Sequence, residues 1–197
     1  MIISCQHIRL FVLGSPSSDL CFACFRIIDR MSDLESSIAD DSLLIQVSEH
    51  IPSVQECHNF CAQDTSCGAV ANFVGITRDT FQDKKVVKLS YEGYVPMAKK
   101  ELRLLCREAA AQFDVRRIAA VHILGDCPVG QPSVILAASS PHRKAAIEAI
   151  EFLIDELKAR IPIWKLEVYE NDESAWKENI EWHEGKKRRV MTKATAN

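Results

Sequence analysis

No stretch of the 197-residue chain offers the roughly 20 consecutive apolar residues that cross a bilayer. Met1 to Leu13 comes nearest, but Arg9 interrupts it and Gly14-Ser15-Pro16-Ser17-Ser18-Asp19 ends it. That is too broken for the apolar core of a signal peptide, and Asp19 and Asp29 sit badly in a mitochondrial presequence. Charge of one sign is equally scarce. The formal net charge is -3, so nothing pulls the whole chain towards nucleic acid or an anionic membrane, and an anion must be held by a local cluster. An RNA-binding module is further disfavoured by the lack of interleaved aromatic and basic residues. The eight cysteines do not form the framework of a small secreted domain. Cys57, Cys61 and Cys67 lack the paired spacing of a structural zinc site, and the first two fit the inner face of a helix. Cys21 and Cys24 lie in an N-terminal segment with no other redox signature. Buried free thiols in a reducing, cytosolic compartment are the economical reading. No internal repeat is visible.

What is present is a globular composition, 47% hydrophobic and 26% charged, of a size for one domain with extensions. We read residues 1–45 as an N-terminal extension, 46–180 as a single α+β domain and 181–197 as a basic tail. Residues 1–30 read as a gene-model extension or a species-specific leader, Met31 resembles an ordinary cytosolic start, and residues 31 to about 44 read as disordered. Leu44 to Val47 begins the folded part as a strand. Ser53 and Glu56 form a capping-box pattern that opens a short helix. Ala69 to Gly75 is an apolar run of strand length, and Thr77 to Lys85 a polar loop. Val87, Leu89 and Tyr91 then alternate with polar residues as in a half-buried strand. Pro96 opens a long helix whose expected inner stripe is Met97, Leu102, Leu105, Cys106, Ala109 and Phe113. Ile118 to Leu124 and Ser133 to Ser139 are further strands. A second long helix starts near Pro141, buries Ala145, Ala149, Ile150, Leu153, Ile154 and Leu157, and stops at Pro162; Ile163 to Tyr169 closes the set. Without strict β-α-β alternation, a mainly antiparallel sheet packed with two long helices follows.

Three groups of residues have the chemistry of an anion site. His142, Arg143 and Lys144 stand where a buried strand meets a helix start. Cations there oppose the helix dipole, which makes sense if an anion sits on the unpaired N–H groups; a solvated basic turn is the alternative. Lys158 lies in the last turn of that helix and Lys165 on the next strand, and the Pro162 turn folds one back towards the other. An amine beside a second cation can serve as nucleophile or base. Glu167 shares the strand face of Lys165 and is placed to orient it. Two ordinary surface lysines are the alternative. Arg78, after Phe73-Val74-Gly75, offers a guanidinium to phosphate.

Together these segments resemble the large, catalytic subunit of the molybdopterin synthase family. The resemblance rests on the run from Gly68 to Arg78, on Leu89-Ser-Tyr-Glu-Gly-Tyr94, on Ser139-Ser-Pro-His-Arg143, and on the most specific stretch, Leu157 to Glu167, followed by Trp176. It implies an α/β-hammerhead fold and a central dimer of large subunits within a heterotetramer. Each would carry a small ubiquitin-like partner whose C-terminal glycine thiocarboxylate donates sulfur. The implied substrate is cyclic pyranopterin monophosphate and the product molybdopterin, with two sulfurs added in succession, opening of the cyclic phosphate, and no metal or cofactor. Lys158 and Lys165 match the family's catalytic lysines. Arg78 matches the family's loop arginine and His142 and Arg143 its His-Arg pair; with Glu167 they are the candidate substrate-binding residues, and His142 and Arg143 are candidates to serve the neighbouring subunit. Pro141 and Leu166 depart from the family's usual Ala and basic residue. A silent adaptor that only docks a ubiquitin-like partner is the competing reading, but it has no need of Arg78, Arg143, Lys158 and Lys165 together.

Overall fold

The computed structural model describes residues 38–170 and 174–177. Cys21, Cys24 and the basic tail lie outside them.

The first sheet has the order β1-β5-β7-β2, from β1 (Leu43–Ser48), β2 (Ala69–Ile76), β5 (Arg117–Ile123) and β7 (Pro132–Ser140). β1 runs parallel to β5, while β5–β7 and β7–β2 are antiparallel. Alternation along the two central strands divides their side chains between two apolar clusters. Ala119, Val121, Ile135 and Ala137 face one way, onto Cys57 and Cys61 of α1 (Val54–Cys61). Ile118, Ala120, Val134 and Leu136 face the other way, onto α2 (Val95–Gln112) and α3 (Arg143–Arg160). With both faces covered, β5 and β7 are almost continuously buried, which is why they read as apolar runs rather than alternating ones.

The helices follow their sequence signals closely. Ser53 Oγ accepts from Glu56 N–H at 3.2 Å and Ser53 N–H donates to the Glu56 carboxylate at 2.8 Å, completing the capping box. α2 has Pro96 in its first turn and buries Ala98, Leu102, Leu105, Cys106 and Ala109. Met97, expected inside, is half exposed, because it lies one position off the 98/102/105/109 stripe. In α3 Ala146 rather than Ala145 is buried, with Ala149, Ile150, Leu153 and Leu157. The Arg160 guanidinium grips both oxygens of Glu108 and ties the end of α3 to α2.

The second sheet comprises β3 (Thr80–Phe81), β4 (Lys84–Gly93), β8 (Ile163–Tyr169) and β9 (Ser174–Lys177), with β6 (Gly125–Pro128) paired to β4. Its described pairings are antiparallel. Two expectations change here. The polar loop from Thr77 to Lys85 contains a tight hairpin whose central residues, Gln82 and Asp83, both take positive φ, 49° and 63°. That is the turn that matches strand twist, though glycine usually supplies it. In β4 a bulge opposes Val86 to Tyr169 and Lys88 to Val168, leaving Val87 over. Val86 therefore points inward and Val87 is 49% exposed, the reverse of simple alternation. At the N-terminal edge, a short 3-10 turn (Asp40–Ser42) precedes β1, and Ile38 already packs into the core, ahead of the first strand residue expected, Leu44. Among the described residues no helix is long and apolar enough to cross a membrane.

Candidate active site

The two sheets and the C-terminal end of α3 enclose a cavity of about 420 Å³. Register explains who faces it. Across β4 and β8, Leu89 pairs with Glu167 and Tyr91 with Lys165, so these four side chains share one sheet face. Across the first sheet, Gly75, Val134 and His122 form one cross-strand row. All seven residues line the cavity. Gly75 is required by this packing: a Cβ there would lie 2.6 Å from Val134 Cγ1.

Three cations converge on this space. Lys158 comes from the last turn of α3, where a positive charge suits the helix dipole. Lys165 comes from β8, after the chain reverses at Pro162. The reversal presses against β4 at Gly93, where a Cβ would stand 3.0 Å from the Pro162 carbonyl oxygen. Arg78 is exposed and reaches the rim from the segment after β2.

Lys165 is tethered. Its Nζ lies 3.3 Å from one carboxylate oxygen of Glu167, whose side chain is only 4% exposed. The other oxygen accepts from the Tyr169 hydroxyl at 2.6 Å. Residues 165, 167 and 169 thus make a ladder along one face of β8, with the carboxylate held between an ammonium and a phenol.

His142 and Arg143 are elsewhere. They are the N-cap and first residue of α3, both exposed, and neither lines the cavity. Fifteen residues separate Arg143 from Lys158, about 22 Å along a helix axis. Within one chain the structure brings together Arg78, Lys158, Lys165 and Glu167 and leaves the His-Arg pair apart.

Residues not singled out from sequence also line the cavity. His122 is 6% exposed, and burial pushes its pKa down to about 4. Its ring meets Tyr91 edge-on with centroids 4.8 Å apart. Burial raises the Tyr91 phenol to about 12, with the Ser133 hydroxyl as its hydrogen-bond partner. A lone histidine in an apolar strand carries no sequence signal that separates it from a core residue; only its row with Gly75 would have pointed here. Among the described residues no cluster of His, Cys, Asp and Glu is arranged to hold a metal ion.

The model of the MoaE protein family matches residues 46–160. The chain is 42% identical over 153 residues to a rat molybdopterin synthase catalytic subunit, covering 78% of this chain and 76% of the rat protein. A bovine protein of the same description is 52% identical over 115 residues, 58% of this chain and 61% of its own length. A Drosophila grimshawi relative is longer, and the chain spans 38% of it. Among solved structures, molybdopterin synthase from Staphylococcus aureus superposes with a TM-score of 0.64 at 34% identity, covering 69% of this chain and 97% of that one. A Helicobacter pylori structure, described as a complex of subunits 1 and 2 of molybdopterin-converting factor, gives 0.56 at 26% identity, over 71% and 92% of the two chains. The mixed sheet with its two long helices, the lysine-bearing cavity and these likenesses agree: the chain belongs to the MoaE family, that of molybdopterin synthase catalytic subunits.

Proposed function

We propose that this chain transfers sulfur from the C-terminal thiocarboxylate of a small ubiquitin-like partner to cyclic pyranopterin monophosphate, giving molybdopterin. The observation that carries the reading is the convergence of Lys158, Lys165 and Arg78 on one cavity, beside a buried carboxylate committed to holding Lys165. The substrate and the donor are both anionic, and the cavity rim is cationic. In each transfer a carbon–sulfur bond forms on the pterin as a carbon–oxygen bond at that carbon breaks, and water then cleaves the acyl–sulfur bond, leaving the sulfur on the pterin and the partner's C-terminus as a carboxylate. Two transfers and opening of the cyclic phosphate complete the product. Lys158 and Lys165 work at the reacting carbons and the thiocarboxylate, and Glu167 keeps the Lys165 amine in place. An adaptor that only docks a partner gains nothing from such a tether.

Arg143 and His142 grip the phosphate, Arg143 with a planar fork of donors. Since they stand about 22 Å along α3 from Lys158, they serve the cavity of a second copy, in a central dimer flanked by two small partners. Residues 46–180 act as the catalytic domain, in the cytosol.

The test is reconstitution with a thiocarboxylated partner and the pterin, reading molybdopterin. Lys165→Ala abolishes product while remaining folded; normal turnover by that variant sinks the assignment. Arg143→Ala weakens pterin binding by roughly 1.5–3 kcal/mol, the range of a charge-assisted hydrogen bond, and leaves partner binding unchanged. Co-refolding the two variants, assayed at a pterin concentration too low to saturate Arg143→Ala, restores about a quarter of wild-type activity, because half the dimers are hybrids and each hybrid has one intact site. No recovery would place both residues in the same subunit's site.

A further inference from the structure

His122 is a buried ionisable side chain in the cavity wall to which sulfur transfer, as read above, gives no role. It stands in the middle of the first sheet, in register with Val47 on β1 and Val134 on β7. Its Nδ1 lies 2.7 Å from the carbonyl oxygen of Ile123. That contact requires the proton on Nδ1, which donates, and leaves Nε2 as an acceptor. Nε2 has no hydrogen-bond partner among the described residues. The imidazole lines the cavity, and with Nδ1 turned to the backbone its Nε2 is the ring nitrogen left for a ligand there. The edge-on contact with Tyr91 fixes the ring plane, and Tyr91 is the register partner of Lys165. The other polar groups of this wall are committed. Ser133 Oγ donates to Gly75 O at 3.2 Å, and both oxygens of Glu167 are taken. Burial keeps the imidazole neutral, so it does not add a further cation to those already at the rim.

We infer that His122 orients the ligand, its Nε2 accepting a hydrogen bond from an amide-type N–H and so setting the depth at which the ligand's anionic end meets Lys158 and Lys165. The inference rests on the sulfur-transfer reading for its choice of ligands. Two carry such a donor: the partner's C-terminal tail, through the peptide N–H of its last glycine, and the pterin, through its lactam N–H. A cavity with cations at the rim and an uncommitted acceptor in the wall suits a ligand that is anionic at one end and donates farther in.

Two variants isolate the acceptor. His122→Gln keeps an acceptor near the place of Nε2, and His122→Phe fills the space without one. Both lose the bond from Nδ1 to Ile123, so their difference reports Nε2 alone. Calorimetric titration uses the small partner with an ordinary carboxylate tail and, separately, cyclic pyranopterin monophosphate. His122→Phe should weaken one of the two about tenfold, the worth of one neutral hydrogen bond, while His122→Gln stays within about threefold of wild type at a similar melting temperature. The titrant that responds identifies the source of the N–H. Equal binding of both ligands by wild type and folded His122→Phe overturns the inference, as does a Gln variant as weak as Phe. Should His122→Phe not fold, His122→Leu takes its place in the comparison. A wild-type protein that binds both ligands without forming molybdopterin refutes sulfur transfer while the binding comparison still decides the role of His122; one that binds neither refutes both.

Discussion

Replacing Glu167 by Gln separates what the tether does for the fold from what it does for Lys165. The carboxylate is 3.3 Å from Lys165 Nζ and 2.6 Å from the Tyr169 hydroxyl, in a residue 3% exposed. Gln keeps the shape and both contacts: its amide oxygen accepts from Lys165 and its amide nitrogen donates to the hydroxyl oxygen of Tyr169. Only the charge goes. At this separation the Coulomb attraction is about 5 kcal/mol with an effective dielectric near 20, which bounds the effect from above because desolvation offsets much of it. The Tyr169 bond becomes neutral and the Lys165 bond keeps only the ammonium's charge, which gives a smaller figure, about 1 kcal/mol for each and roughly 2 kcal/mol together. Urea unfolding of Glu167→Gln should show that loss with an unchanged denaturant slope. Product formation at saturating substrate should fall further, by about 10–100-fold, since an amine off its line of approach costs rate steeply. The KM for the pterin should move little, because each oxygen of Glu167 already has a protein partner that Gln retains. If stability falls as expected and kcat stays at the wild-type value, Lys165 does not depend on Glu167 and the positioning argument fails.

Gly75→Ala places a methyl 2.6 Å from Val134 Cγ1; it should cost about 1–3 kcal/mol of stability by overpacking and weaken ligand binding by displacing Val134 within the cavity wall, which thermal unfolding and titration would register. Acidification tests the burial of His122. Between its ordinary value of 6.5 and about 4 the unfolded chain binds a proton there that the folded protein refuses, so this contribution is complete above pH 6.5 and is lost as pH falls towards 4, at up to about 1.4 kcal/mol per pH unit. Wild type should therefore lose stability on acidification more steeply than His122→Gln, and parallel curves would count against the buried neutral imidazole.

What sequence made legible was local chemistry. Ser53 and Glu56 announce their helix because a capping box acts within four residues. Lys158 and Lys165 are placed together by a helix end, a proline and a strand, each with its own signal. The two long helices showed their stripes, and the errors at Met97 and Ala145 are single-position shifts in phase. Non-local pairing was not legible. The parallel union of β1 with β5 joins segments some 75 residues apart, and nothing near Leu43 foretells it. The bulge at Val87 is a property of two strands in register, so a period read along one strand misassigns it. His122 and Tyr91 owe their place in the cavity to a meeting of two sheets. The distance between His142–Arg143 and Lys158 was implicit in helix geometry, and it became informative only once the cavity had been located at one end.

α3 is also a ruler. It carries the His142–Arg143 pair at one tip and Lys158 near the other on a single uninterrupted rod, so the spacing and the angular phase of the two cationic groups are set by residue count. One residue inserted near Ala149 would turn Lys158 by about 100° relative to Arg143 and slide it by about 1.5 Å, with every side chain at either tip unchanged. The length of this helix is therefore under a constraint that the identities of its surface residues are not: those can drift, while an insertion or deletion of even one position throws the two ends out of step.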